Sequence, residues 1–419
     1  MTHISFWGGV GVVGSSKVLI EEAGWRVLLD LGLDFNPIPP LFRGRVMPRT
    51  DQILADRLKA GCAPQIPYLY RPDALRGVDL PGGSDQKTAL FLSHAHPDHM
   101  GLTGWVDPSI PIFASPETQA IMTALQNAGL GVEGYAPRVQ PLPESTPLAF
   151  GPFRVSRYPI DHDVPGSSAY IVATSAGAIA YTGDLRLHGS HPDWVQAFVQ
   201  AARGCHALII EGTLLNQAHQ EPLESEMEHQ LDQYLAITSG LILLSLNPVN
   251  LERVKTFVTK TRERGRTILF PLEQARFLEE MGLQHIEVQE ESTLKRIHHN
   301  PQRYLVQLPV TGFPRLLDLP VGAESLYLYS NGEPYGPSDP DWTTLMDWLH
   351  YTQIPFRSLS STGHASASAL HQIVRDIAPT LVFPIHTATP EALRPPVGTK
   401  RVLPVRGNPG FDLGHGFGD

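Results

Sequence analysis

The chain is 419 residues long, enough for two domains or for one with a large insertion, each able to bury its own core. Hydrophobic residues make up 42% of it yet form no continuous apolar run of about 18 residues, which points to a soluble globular protein and excludes a helical membrane span. A formal net charge of -10 argues against coating nucleic acid by global positive charge, although a bound metal pair and a few arginines can make one cleft positive on an acidic body.

Cys62 and Cys205 stand far apart and alone, so neither a disulfide framework nor a thiolate zinc site is expected. The first residues read as a strand rather than a signal peptide, and a cytoplasmic location follows as the expectation.

In chain order, glycine-rich turns alternate with β-branched stretches at 4–9, 16–21 and 25–30, a meander of short strands in which Asp30 ends the third. The Pro- and Gly-rich stretch 34–87 carries Arg43, Arg45 and Arg49 and reads as a long excursion over one face, with a short helix at 51–60; its arginines could roof a cleft. A regular pattern then begins. Strands are predicted at 89–93, 153–158, 169–173, 178–182 and 207–210, and a helix at 116–128. Several of these strands run into a polar residue, the signature of an α/β layered fold with its site at the strand ends.

Beyond Glu211 the texture changes to helix 222–238, strand 241–246, helix 251–264, strand 267–270 and helix 272–281, which reads as a separate parallel-sheet domain. Arg253, Arg262, Arg264 and Arg266 gather on its second helix and could follow a nucleic-acid backbone, but Glu252 and Glu263 among them favour a solvated helix face. Polar signatures return at 360–368 and 383–387, and a helix is expected at 367–377. The segment from Gly407 onward is Gly-rich and expected to be loose.

Chemistry concentrates where the strand 89–93 delivers His94, His96, Asp98 and His99 onto one tight loop. His94 and His96 alternate and can grip one ion, while Asp98 and His99 can reach a second. Imidazole with carboxylate suits zinc or manganese. A surface histidine cluster or adventitious metal binding is the competing account, but three buried imidazoles each needing a partner would end a core strand badly.

The motif His-x-His-x-Asp-His resembles that of the metallo-β-lactamase superfamily. The resemblance implies an αββα sandwich, two divalent ions (Zn, or Mn), a further histidine ligand and a bridging aspartate. His162 and Asp184 fill those two places. Asp30 looks like the family's outer carboxylate that orients ligands, with a helix cap or turn as the alternative.

A second resemblance narrows the expectation. The β-CASP nucleases of this superfamily insert an α/β domain with a parallel sheet and carry three further motifs, for which Glu211, His364 and His386 stand in order here. The implied bounds are 1–212 and 361–419 for the two parts of the sandwich domain and 213–360 for the insertion. A histidine at the third motif, His386, favours RNA over DNA by the same resemblance, and the overall texture is similar to that of ribonuclease J.

These resemblances imply a ribonuclease using water activated between two ions. One ion falls to His94, His96 and His162, the other to Asp98, His99 and His386, and Asp184 bridges them. His364 becomes the general acid, oriented by Glu211. Ser361 and Ser366 flank His364 before a helix start and could seat a substrate phosphate, with N-capping by Ser366 the alternative. The expected partner is single-stranded RNA, DNA remaining possible, with no membrane. The rival functions are a DNA exonuclease, a hydrolase of small esters or thioesters, and a non-catalytic β-CASP scaffold. Cleavage direction, target, choice of ion and oligomeric state stay open.

Overall fold

In the computed structural model, residues 1–34, 41–42, 46–144, 146–217, 221–337, 339–414 and 416–417 are described. Arg43 and Arg45 of the basic run lie outside them. Arg49, which is described, pairs with Asp56 at 2.5 Å.

The first sheet begins with β1 (Thr2–Gly8), β2 (Lys17–Glu22), β3 (Trp25–Leu29), β4 (Thr88–Phe91), β5 (Ile112–Ala114) and β6 (Val139–Pro141). The second takes β7 (Leu148–Phe150), β8 (Phe153–Pro159), β9 (Ser168–Thr174), β10 (Gly177–Tyr181) and β11 (Ala207–Glu211). Several of these strands are largely apolar because both faces are covered, with successive side chains pointing to opposite faces. Ile4, Phe6, Val18, Ile20, Val27, Leu29 and Phe91 point inward to meet Phe153, Val155, Tyr170, Val172 and Ile209 of the facing sheet. Leu19, Leu28 and Leu90 point the other way, onto α1 (Ile53–Lys59). After α2 (Pro97–Met100), α3 (Pro116–Asn127) completes that layer, and α4 (Pro192–Ala201) opens the layer behind the second sheet. The result is the α/β sandwich with four layers, αββα, that the sequence predicts. From residue 46 onward the predicted excursion packs down as part of the outer layer, with Leu54, Leu58, Ile66, Leu69 and Tyr70 buried.

The chain then leaves the sandwich through α5 (Glu224–Ile237) and builds a third sheet from β12 (Ile242–Leu246), β13 (Thr267–Phe270), β14 (Glu287–Val288), β15 (Tyr304–Gln307), β16 (Leu326–Ser330) and β17 (Phe356–Ser358). Every pairing in it is parallel, in the order β14-β13-β15-β12-β16-β17. The crossovers include α6 (Leu251–Glu263), α7 (Leu272–Glu280), α8 (Glu291–His299) and α9 (Trp342–Tyr351). The predicted βαβα run thus supplies two of the six strands of a larger parallel sheet.

After α10 (Ala367–Ile377) the second sheet regains β18 (Leu381–Ile385) and β19 (Lys400–Arg401), and the first regains β20 (Gly407–Asp412) and β21 (Gly416–Phe417). Of the tail expected to be loose, 407–412 and 416–417 are therefore in strands. His3 and Ile4 of β1 pair with Asp412 and Phe411, and a Cβ on Gly410 would stand 2.8 Å from the Ile4 carbonyl oxygen, so its glycines permit the close approach. Phe411 packs edge-on against Phe383, ring centroids 5.2 Å apart.

The arginines on and just after α6 do not share one face: Arg262 and Arg264 are exposed, while Arg253 and Arg266 turn inward. Arg253 is buried and bonds Glu224, Asn331 Oδ1 (2.6 Å) and the Ser361 carbonyl (2.8 Å). Glu224 also receives Arg186, which pairs with Asp161 at 2.9 Å. This chain of charges ties the inserted domain to the loop before β9. Arg266 is buried as well and donates to Gly240 and Thr238 carbonyls, while Arg264 forks onto Asp232. Among the described residues, no helix is long and apolar enough to cross a membrane.

Candidate metal centre

The parallel strands β3 and β4 in one sheet, and β10, β11 and β18 in the other, all end on one edge of the sandwich. Asp30 follows β3, His94 lies just past β4, Asp184 just past β10, Glu211 closes β11 and His386 follows β18. Asp30 and His386 both sit at positive φ, 59° and 53°, a costly conformation for side chains of this kind that turns each out of its strand toward the centre. The loop with the remaining candidate ligands is clamped from below. Its carbonyls at Pro97, Asp98 and His99 accept from Leu33, Ser16 and Leu31 at 2.8–2.9 Å.

Two groups of ligand atoms result. His94 Nε2 and His162 Nε2 lie 3.1 and 3.2 Å from His96 Nδ1. Around an ion with Zn–N bonds of about 2.0–2.1 Å, tetrahedral edges measure about 3.3 Å, so the spacing fits one. In the second group His386 Nε2 is 3.1 Å from Asp98 Oδ2 and 3.4 Å from Asp184 Oδ2, and His99 Nε2 is 3.1 Å from the same Asp184 oxygen. That oxygen also lies 3.9 Å from His94 Nε2, between the two groups.

The far sides of the rings fix which nitrogen faces inward. The carbonyl of Gly363 can only accept, so His162 Nδ1–H donates to it (2.6 Å), and His99 Nδ1–H likewise donates to the Asp30 carboxylate (2.7 Å). Ser93 hands its backbone N–H and hydroxyl to Asp30 (2.6 and 2.7 Å), which leaves the serine oxygen to accept from His94 Nδ1–H (2.9 Å). Tyr181 donates to Asp30 at 2.5 Å. Asp30, fully buried, thus orients His99 directly and His94 through Ser93. Thr213 Oγ1 contacts His386 Nδ1 at 2.8 Å.

The electrostatics suit cations. Burial, followed by the neighbouring imidazoles, holds His94 well below the usual histidine range; burial brings His162 down to about 4. Asp98 and Asp184 stay ionised: burial favours the neutral acid, but His99 and His386 outweigh it. Burial also opposes a charge on His99, yet Asp184, Asp30 and Asp98 around it raise its pKa well above 6.5. A divalent ion here would therefore displace a proton, as metal binding to imidazole generally does. Buried His99 Nε2, which faces the second group, makes no hydrogen bond, and the donor set is the nitrogen and oxygen chemistry of a catalytic rather than a structural ion, so the residues fit a divalent pair.

Beside the second group, His364 Nδ1 is 3.3 Å from Glu211 Oε1 and 4.0 Å from Asp184 Oδ2. Glu211 is held in turn by N–H groups of Thr213 (2.8 Å) and Ala365 (3.3 Å). Of the two serines flanking His364, Ser361 is fully buried and donates to the Pro222 carbonyl (2.8 Å), which commits its hydroxyl to the domain junction and keeps it from a substrate phosphate. Ser366 caps α10, its Oγ accepting from Ala369 N–H at 3.4 Å, the alternative named above.

Gly363 is required by contact. A Cβ there would stand 2.3 Å from His162 Cε1 and 2.7 Å from Asp163 Oδ1. Gly363→Ala is therefore expected to push the His162 loop outward, costing about 1–3 kcal/mol of stability and lowering the metal content of the purified protein; a variant with unchanged melting and metal content would show that the loop yields without consequence. Several residues at the site escaped sequence reasoning: Ser93 and Tyr181, which hold Asp30, Thr213, which contacts His386, and Asp163, which carried a visible signal as a second acid next to a candidate ligand histidine.

A family model described as a β-lactamase superfamily domain matches residues 71–241. The chain is similar to "Ribonuclease J" of Mycolicibacterium smegmatis, 24% identical over 276 residues that cover 64% of this chain and 44% of that protein. It is similar also to "Ribonuclease J" of Helicobacter pylori, 22% identical over 254 residues, 59% of this chain and 33% of that one. The chain thus spans less than half the length of these relatives. Among solved structures, a protein of unknown function from Enterococcus faecalis V583 superimposes with a TM-score of 0.79 at 27% identity, over 97% of this chain and 99% of that one.

Proposed function

From the premise that this chain is a metallo-β-lactamase superfamily protein of the β-CASP, ribonuclease J-like kind, we propose that it hydrolyses phosphodiester bonds in single-stranded RNA. The observation that carries the reading is the pair of adjoining ligand groups, with Asp184 in the second and 3.9 Å from His94 of the first, and the Glu211–His364 couple beside them. His94, His96 and His162 would hold one divalent ion, and Asp98, His99 and His386 the other, with Asp184 common to both. Such a pair, zinc or manganese, supplies charge for the phosphate and lowers the pKa of water.

The chain's own residues do the rest. Asp30 and Ser93 keep ring nitrogens aimed at the centre. His364, held by Glu211, gives a proton to the leaving oxygen.

The test follows release of an end label from single-stranded RNA and from matched DNA with Zn²⁺ or Mn²⁺ added, using Asp98→Ala as control. Cleavage of RNA alone, absent in the control, is the expected result, and its product ladder separates exonuclease from endonuclease action. Equal cleavage of DNA overturns the RNA preference, and inactivity on both overturns the nuclease reading.

A further inference from the structure

The chain crosses between the sandwich and the inserted domain twice. It leaves through Pro222 and α5, whose first residue is Glu224, and returns from β17 through Ser361 to α10. Both crossings meet at one buried guanidinium. Arg253 of α6 places its fork on the Glu224 carboxylate, on Asn331 Oδ1 just past β16 (2.6 Å) and on the Ser361 carbonyl (2.8 Å). The same Asn331 oxygen accepts the Ser361 N–H (3.1 Å), and the Ser361 hydroxyl donates to the Pro222 carbonyl. Every polar group of Ser361 is thereby held by the inserted domain or by the outgoing crossing. The next two carbonyls turn to the sandwich: that of Thr362 accepts from His188 Nε2 (2.8 Å), that of Gly363 from His162 Nδ1 (2.6 Å). His364 comes next in the chain. Among the described residues the one hydrogen-bond partner of its ring is Glu211 at 3.3 Å, so the direction of the ring depends on the backbone that carries it.

We propose that Arg253 is a positioning residue for RNA cleavage: by joining both crossings it fixes the turn 361–363, and so aims His364 at the leaving oxygen when the inserted domain is seated against the sandwich. The inference rests on the ribonuclease reading above, with His364 as the acid. A planar guanidinium is suited to this place because its rigid fork meets a carboxylate, an amide oxygen and a carbonyl in one fixed relation, which a lysine ammonium on a flexible stem does not. An arginine of the inserted domain thus acts on the proton transfer through the backbone of the returning crossing, without touching the substrate.

The experiment measures kcat and KM for end-labelled single-stranded RNA with Zn²⁺ or Mn²⁺ added, using the full-length chain as wild type, Arg253→Met, His364→Ala and the double variant; metal content and melting temperature are recorded for each. Arg253→Met is expected to lower kcat about 10–100-fold, with KM little changed and both metal equivalents retained. In the His364→Ala background the same substitution should cost nothing further, because the group it aims is gone. Arg253→Lys keeps a charge opposite Glu224 without the fork and should restore the melting temperature but not kcat. Should Arg253→Met fail to fold, as read from circular dichroism, Asn331→Gly takes its place: it removes the shared acceptor, tolerates the positive φ of 60° there and leaves Arg253 paired with Glu224. An unchanged kcat, equal losses in both backgrounds, a change in KM alone, or full recovery of kcat by Arg253→Lys would overturn the positioning role while leaving the ribonuclease reading standing; a wild-type chain that leaves RNA intact overturns both.

Discussion

His364→Ala is expected to keep both metal equivalents and to lose RNA cleavage by about 10²–10⁴-fold, the usual contribution of a positioned acid. The competing role for this ring is as a ligand, since Glu211, His364 and His386 also lie close enough together to hold an ion. Two features favour the acid. The His364 side chain is 19% exposed whereas that of His386 is 1% exposed, so His364 faces the cleft from which substrate arrives. Its Nδ1 faces Glu211, whose carboxylate is pinned by two backbone N–H groups. Burial disfavours the charged ring, but Glu211 and then Asp184 outweigh it and bring the pKa up to about 9. The imidazolium is thus the donor at neutral pH, and the rate is lost as pH rises through that value. Bound cations lower the limit, so the informative comparison is between variants: Glu211→Gln removes the principal charge that holds the proton, and the basic limb of the kcat profile should move to lower pH. Metal loss from His364→Ala, or a basic limb that stays in place in Glu211→Gln, would contradict the assignment.

What could be read from the sequence divides along physical lines. The loop from His94 to His99 was legible because its candidate ligands are contiguous and follow a short apolar strand. His162, Asp184 and His386 could be ordered only through a resemblance, since each is an ordinary loop residue until the parallel strands bring it to one edge. The burial of Arg253 was readable in principle: it shares the helical stripe of Val254, Phe257, Val258 and Thr261, all buried, and a charge on an apolar stripe announces a buried partner. Its neighbours Glu252 and Glu263 drew the reading to the solvated face instead. The same holds for α4, where Pro192 opens a stripe of Val195, Phe198 and Val199 that was overlooked. Nothing local foretells β20, because its partner β1 lies about 400 residues away and its glycines carry no period. Ser361 was misplaced for a related reason: beside a candidate acid, a serine suggests phosphate binding, and only the packing of α5 against that turn shows its hydroxyl already engaged.

The second large effect is expected at Asp184. Asp184→Asn keeps the size of the side chain and removes its charge at the one oxygen that lies 3.1 Å from His99 Nε2, 3.4 Å from His386 Nε2 and 3.9 Å from His94 Nε2. Either ion alone would leave the other's imidazoles uncompensated, so the loss should reach both equivalents, whereas a residue serving one group would release only one. Cleavage should fall by a thousandfold or more, about 4 kcal/mol of lost barrier lowering. A readout independent of RNA is the thermal shift. Ligand at 100 times its dissociation constant raises stability by about 2.7 kcal/mol per site, so wild-type protein should melt markedly higher on adding Zn²⁺ or Mn²⁺ while Asp184→Asn barely responds. The unliganded variant should itself be less stable below neutral pH: with Asp184 charged, His99 holds its proton above the unfolded pKa, a stabilisation present in acid and lost as pH rises through the folded value, and the amide removes its largest source. A variant that retains one full equivalent and its thermal shift would show that the two groups are filled independently and that Asp184 belongs to only one of them.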